Sequence, residues 1–159
     1  MTRIAITGHR GLPPETRELV DKAIRAELAE RADAELIGFS CLADGADTLF
    51  AQAVVDAGGS LVVVVPAQQY RDDLPPEHHS AYDELIGQAL DVITLDYRES
   101  TAEAHQAGSE RMLDSADELF AVWDGKPARG YGGTADVVAV ARDRGIPVTL
   151  VWPDGAQRD

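Results

Sequence analysis

Six short apolar runs recur along the chain with room for a helix between most neighbours, and this alternation restricts the fold more than any other feature. "RIAIT" (3–7), "ELIGFS" (35–40), "LVVVV" (61–65), "DVITL" (91–95), "ELFAVW" (118–123) and "PVTLVW" (147–152) read as strands. Most are apolar throughout rather than alternating, the pattern of parallel strands covered on both faces. Between them, "PETRELVDKAIRAELAE" (14–30) places Leu19, Val20, Ala23, Ile24 and Leu28 on one stripe behind Pro14, a favourable first-turn residue. "GADTLFAQAVVDAGG" (45–59) does the same with Ala46, Leu49, Phe50, Ala53 and Val54, and stops at Gly58 and Gly59. "EHHSAYDELIGQAL" (77–90), "AEAHQAGSERMLDSA" (102–116) and "GTADVVAVARDRG" (133–145) complete the helices. Repeated βα alternation predicts a three-layer α/β/α sandwich on a mainly parallel sheet of about six strands. The longest break, 67–76, reads as a site loop and not a domain linker.

Composition narrows the partners. A chain of 159 residues with 45% hydrophobic content has the size of one domain, taken to span 1–159. Its formal net charge of −14 argues against general affinity for nucleic acid or anionic membrane, which needs clustered Lys and Arg. Any anion site must therefore be local. No basic segment followed by a long apolar stretch opens the chain, and no apolar run approaches the ~18 residues of a membrane span, so a cytoplasmic protein is expected. Cys41 is the only cysteine, which rules out an internal disulfide or a cysteine-built zinc site, and it reads as a small buried residue behind a strand. His78 and His79 are adjacent on a helical segment and point apart, while His9 and His105 are isolated in sequence. No metal site and no resident cofactor are expected.

In parallel α/β folds ligands sit beyond the carboxyl ends of the strands, so the residues just after each run carry the functional reading. The first run is followed by Thr7, Gly8, His9 and Arg10, and the second by Asp44, Gly45, Ala46 and Asp47. Pro66, Tyr70 and Arg71 follow the third. Asp124, Gly125 and Lys126, then Arg129, Gly130, Tyr131, Gly132, Gly133 and Thr134, follow the fifth. These edges would gather Arg10, Arg71, Lys126 and Arg129 into a local cationic rim.

Gly132 and Gly133 can adopt positive φ and admit a ligand close to the backbone, and the N–H groups of the helix they open favour an anion. Thr134 can cap that helix or donate to a phosphate oxygen. Two readings stand: a phosphate loop, or a glycine-rich turn joining strand to helix. Asp44 and Asp47 read equally as helix-capping carboxylates or as ribose contacts. His9, Tyr70, Tyr131 and Trp123 can offer ring surface to a base, although a Trp ending a buried strand reads first as core.

"ITGHR" (6–10), "CLADGAD" (41–47) and "SADELFAVWDGKPARGYGGTADVVAVARDRGIPV" (115–148) resemble, in order and spacing, the SLOG superfamily of Rossmann-like nucleotide-binding proteins. That superfamily includes Lonely-Guy-type nucleotide phosphoribohydrolases, YpsA-like proteins and the Rossmann domain of the DNA-processing protein DprA. The resemblance implies strand order 3-2-1-4-5-6, a nucleotide-like small-molecule ligand across the strand edges, and a homodimer. It carries Gly45, Ala46 and Asp47 over as ligand-loop residues, with Asp44 where many members have Arg. Arg111 falls near a basic helix position that contacts ligand in the hydrolases, at a different spacing, and reads equally as a solvated helical residue.

The hydrolase branch carries a "PGGxGTxxE" motif whose Glu assists cleavage of the N-glycosidic bond. Aligned on Gly133 and Thr134, its glycines match Gly130 and, with a change, Tyr131, while Val137 holds the Glu position. Asp136 lies one residue earlier, about 100° around the helix, and is a weak catalytic candidate. The resulting expectation is a binder or sensor of a nucleotide or nucleotide-derived molecule. A nucleoside 5'-monophosphate phosphoribohydrolase is the alternative, and DNA binding, opposed by the charge, ranks third.

Overall fold

The computed structural model describes residues 1–31, 35–127 and 133–158. Elements alternate as the apolar pattern requires: β1 (Thr2–Gly8), α1 (Pro14–Ala29), β2 (Leu36–Ser40), α2 (Ala46–Asp56), β3 (Ser60–Ala67), α3 (Tyr70–Asp73), a 3-10 turn (Pro76–His78), α4 (His79–Gly87), β4 (Asp91–Tyr97), α5 (Ala102–Ser115), β5 (Glu118–Val122), α6 (Thr134–Asp143) and β6 (Val148–Leu150). All five strand pairings are parallel, in the order β4-β3-β2-β1-β5-β6. Parallel neighbours require a crossover, which the intervening helices supply.

Successive residues of the central strands feed opposite faces. Ile4, Ile6, Phe120 and Val122 pack with Val20 and Ile24 of α1 and Phe50 and Val54 of α2. The rings of Phe50 and Phe120 meet edge to face at 5.8 Å. Ala5, Leu119 and Ala121 pack on the other face with Met112 of α5 and Val137, Val138 and Ala141 of α6. The period of two, buried on both sides, is why these strands read as unbroken apolar runs.

The β3-β2-β1 half of the sheet and the step across β1 follow the expected Rossmann-type order. The difference is β4, which extends the sheet beyond β3, so that the fifth strand in the chain, β5, flanks β1. Composition accounts for this. Asp91, Thr94, Asp96 and Tyr97 of β4 are exposed, as suits an edge, whereas Leu119–Val122 of β5 are fully buried, as suits the centre. The 67–76 break is folded, with α3 burying Tyr70 and with Leu74 buried beside it.

The chain leaves β1 toward β2 on one side and returns to β5 on the other. A crevice at the carboxyl end of β1 follows from this reversal of direction. Among the described residues, no helix is long and apolar enough to cross a membrane.

Candidate functional site

The crevice is a cleft of about 340 Å³. From the expected residues it gathers Thr7, Gly8, His9 and Arg10, with Asp47, Pro66 and Tyr70 opposite, and Gly133 and Thr134 at the start of α6. Its size lies within the usual range for small-molecule sites.

Local packing explains how the first two edges meet. A Cβ at Gly8 would stand 2.8 Å from the Cβ of Val122 and closer still to that of Ala46, so only glycine lets α2 approach β1 here. Gly45 has φ +97°, and a Cβ there would lie 2.6 Å from the His9 carbonyl oxygen. That same oxygen accepts the Ala46 N–H at 3.2 Å. Gly45 and Ala46 thus serve the junction of two loops and do not line the cleft.

His9 is 4% exposed. Its backbone N–H donates to the Val122 carbonyl, and its Nε2 accepts the Asp124 N–H at 3.1 Å. Its ring stands edge-on to Trp152, with centroids 5.4 Å apart. His9 borders the cleft, but these contacts leave it little ring face for stacking on a base.

The loop after β2 is held tightly. Leu42, fully buried, has φ +58°, an uncommon conformation for a branched residue. The Ser40 hydroxyl accepts the Leu42 N–H and donates to the Asp47 carbonyl. His78 Nε2 donates to the Leu42 carbonyl at 2.9 Å, and Thr48 donates to that of Ala43 at 2.7 Å. Within this frame Asp47 accepts the Ala43 N–H at 3.3 Å. Burial pushes its carboxyl up to about 7, against the opposing pull of that N–H and of Arg10.

The expected cationic rim forms only in part. Arg10 is bound by Asp44, through Nε at 2.9 Å and Nη2 at 2.8 Å to one oxygen, while the other oxygen accepts the Gly11 N–H. Asp44 therefore caps no helix and neutralises the neighbouring cation instead. Arg71 makes a bidentate pair with Asp83 at 2.7 Å for each bond and does not line the cleft. Lys126 donates its N–H to Asp124 in a tight turn with Gly125 at φ +82°, and lines a neighbouring depression. Burial acts to raise the Asp124 carboxyl but is outweighed by the Lys126 N–H and by the nearby His9, Arg158 and Lys126, which hold it below the usual range. Arg111 bonds Ser115 of its own helix, away from the cleft. Arg129, Gly130, Tyr131 and Gly132 lie outside the described residues.

Gly133, the N-cap of α6, has φ −78° and ψ 177°, a backbone that any residue adopts. Positive φ is therefore not what this position requires. Gly133 accepts the N–H groups of Asp136 and Val137, and among the described residues no side chain caps the helix. Thr134 heads α6 at the cleft wall. Val137 is 1% exposed in the core, so the position aligned with the hydrolase Glu faces packing and not ligand, and Asp136 does not line the cleft.

Ile6, Cys41, Ala43, His105, Ser109, Met112 and Arg158 also line the cleft without having been expected. His105, Ser109 and Met112 lie at i, i+4 and i+7 of α5, one helical stripe, so spacing could have grouped them. His105 is bonded to Ser100 at 2.7 Å and packs edge-on to Tyr70, and burial lowers its pKa. Burial likewise raises the Tyr70 phenol well above its usual range, leaving it protonated. Arg158 had no signal in the sequence.

Fold and cleft together define a Rossmann-like α/β protein. No protein family's profile matches the chain. No curated protein matches its sequence. Solved structures share its fold. DNA processing protein A from Streptococcus pneumoniae is 19% identical over 94% of this chain and 50% of that one, with a TM-score of 0.67. DNA processing protein A from Helicobacter pylori, described for its single-stranded DNA binding mode, is 15% identical over 99% of this chain and 68% of that one, with a TM-score of 0.71. The molybdenum cofactor binding protein from the phototrophic bacterium Rippkaea orientalis is 15% identical over 94% and 75%, with a TM-score of 0.59. The chain spans half the length of the Streptococcus protein.

Proposed function

We propose that this chain binds a nucleotide or a nucleotide-derived, phosphorylated small molecule in the carboxyl-edge cleft. The observation that carries the reading is the convergence, on one cleft of about 340 Å³, of the start of α6, where among the described residues no side chain caps the helix, with Arg10, Arg158 and Asp47. Backbone N–H groups at a helix start favour an anion, and a cleft of this size suits a mononucleotide. The Rippkaea protein, which binds molybdenum cofactor on a chain of the same fold, lends support to a small-molecule role. The proposal takes a second copy of the chain as the macromolecular partner and assigns no role to nucleic acid.

Hydrolysis of a nucleoside monophosphate is the second reading. Asp47 favours it, because a cleft carboxyl brought to about 7 is poised for proton transfer. Val137 in the core opposes it, and binding without turnover ranks first.

A thermal-shift screen with AMP, GMP, ADP-ribose, NAD and cyclic nucleotides tests the proposal. A ligand at 100 times its dissociation constant adds about 2.7 kcal/mol of stability, readily visible for a domain of this size. At least one member of the panel is expected to raise the melting temperature without release of free base. Silence across the panel would defeat the binding reading. Release of base abolished by Asp47→Asn or Asp136→Asn would make the protein an enzyme.

A further inference from the structure

We propose that the segment following β6 is a strap that carries Arg158 into the cleft as the guanidinium that holds the ligand's phosphate. The inference rests on the reading of the cleft as a site for a phosphorylated molecule, and it names the residue that recognises that group.

The strap is anchored along its length. Val151 is buried in the core and donates its N–H to the Ala121 carbonyl at 2.8 Å. Trp152 lies against the edge of His9. Further on, Gln157 closes a two-way link with α1: its N–H donates to the Thr16 hydroxyl at 2.9 Å, and that hydroxyl donates to the Gln157 carbonyl at 3.1 Å. Thr16 is 2% exposed, so its end of this part-buried link is covered. The next residue is Arg158, which lines the cleft together with Gly133 and Thr134 and, on its other side, the neighbouring depression with Asp124 and Lys126.

Arg158 differs from Arg10, which also lines the cleft, in what its donors do. Arg10 is committed to Asp44 at hydrogen-bond distance. Arg158 has one ionic neighbour among the described residues, Asp124, at 3.8 Å, beyond hydrogen-bond length. Among the described residues, none of its N–H donors makes a hydrogen bond. Asp124 therefore orients the guanidinium by charge and leaves its planar fork unspent, the arrangement suited to bidentate capture of a phosphate. A phosphate at the start of α6 would face the fork and the helix N–H groups from two sides.

Inorganic pyrophosphate is the probe, titrated calorimetrically into the full chain and into three variants, each with a melting curve taken without probe. The unmodified chain is expected to bind it saturably and more weakly as salt rises. Arg158→Gln is expected to weaken binding at least fivefold and to flatten the salt dependence while moving the melting curve little, since among the described residues Arg158 makes no hydrogen bond and its ion pair with Asp124 is long. Arg158→Lys, which restores charge without the fork, should recover only part of the affinity. Thr16→Val keeps every charge but unties Gln157, and should also weaken binding. Equal affinity in Arg158→Gln, or no pyrophosphate binding by the unmodified chain, overturns the inference. If a nucleotide of the thermal-shift panel still binds in either of those cases, the cleft reading survives and only the role of Arg158 falls.

Discussion

Asp47 shows how much one carboxyl can determine in this cleft. Its pKa, raised from the ordinary 3.8 to about 7 chiefly by burial, means that the folded state holds a proton that the unfolded chain has released. Between about pH 4 and pH 7 the native state binds more protons, so stability falls as pH rises through that window and levels off above it. The sign is opposite to that of a salt-bridged carboxylate. Asp47→Asn should raise the melting temperature at pH 8 and change it little at pH 4, by an amount worth at most about 4 kcal/mol. On the proposed function the same proton would govern ligand affinity, because below pH 7 the neutral carboxyl would no longer repel a phosphate. Pyrophosphate should bind more tightly at pH 6 than at pH 8, and Asp47→Asn should remove most of that difference. A melting temperature insensitive to the substitution at pH 8 would show that solvent in the cleft keeps Asp47 near its ordinary value. At this scale the sequence was partly legible. Thr7, His9, Arg10, Asp47, Tyr70 and Thr134 could be placed by counting from strand ends. Arg71 could not, because its pairing with Asp83 depends on how α3 meets α4, and Arg158 could not, because its position depends on the whole course of the strap.

The elements were more legible than the side chains between them. Each apolar run became a strand, and in β1, β3 and β5 burial on both faces leaves an uninterrupted hydrophobic signature that a helix would break. The place of β4 was less plain, although its interleaved polar residues are what an edge tolerates. Glycines carried the strongest local signal, and the structure divides them by cause. Gly45 combines positive φ with a close approach to the His9 carbonyl, so Gly45→Ala should destabilise by about 1–3 kcal/mol and loosen the junction of β1 and α2. Gly133, in ordinary extended backbone at an N-cap, should accept Gly133→Asp without loss of stability, since Asp caps helices well. The new charge beside the phosphate should nevertheless cost more than about 1 kcal/mol of ligand affinity, roughly tenfold for each 1.4 kcal/mol. Paired melting curves and titrations separate the two cases. Normal affinity in a well-folded Gly133→Asp chain would reduce the α6 entrance to a turn.

Across the whole molecule, charge and exposed apolar surface lead to one further experiment. The formal net charge of −14 opposes a polyanion at long range, while the proposed small phosphorylated ligand would need only a few local donors. Nucleic-acid affinity comes from neutralising many phosphates with Lys and Arg, yet Arg10, Arg25, Arg31, Arg71 and Arg144 are each paired with carboxylates of this chain. The DNA-processing proteins that share the fold therefore do not by themselves bring DNA binding to this surface. The proposed second copy would use the outer edge of β4, whose backbone donors and acceptors have no neighbouring strand among the described residues. Leu90, just before β4, and Val92 and Tyr97 within it stand at 68%, 41% and 42% exposure. Size-exclusion chromatography with light scattering, run with and without a labelled single-stranded oligonucleotide at about 50 mM salt, where electrostatic binding is strongest, reads both properties together. The expected result is twice the chain mass, reduced to a single chain by Val92→Lys, with the oligonucleotide eluting alone. A monomer at every concentration would remove the second copy as a partner. Co-elution of the oligonucleotide, lost at higher salt and in Arg158→Gln, would move the function of the cleft from small molecules to DNA.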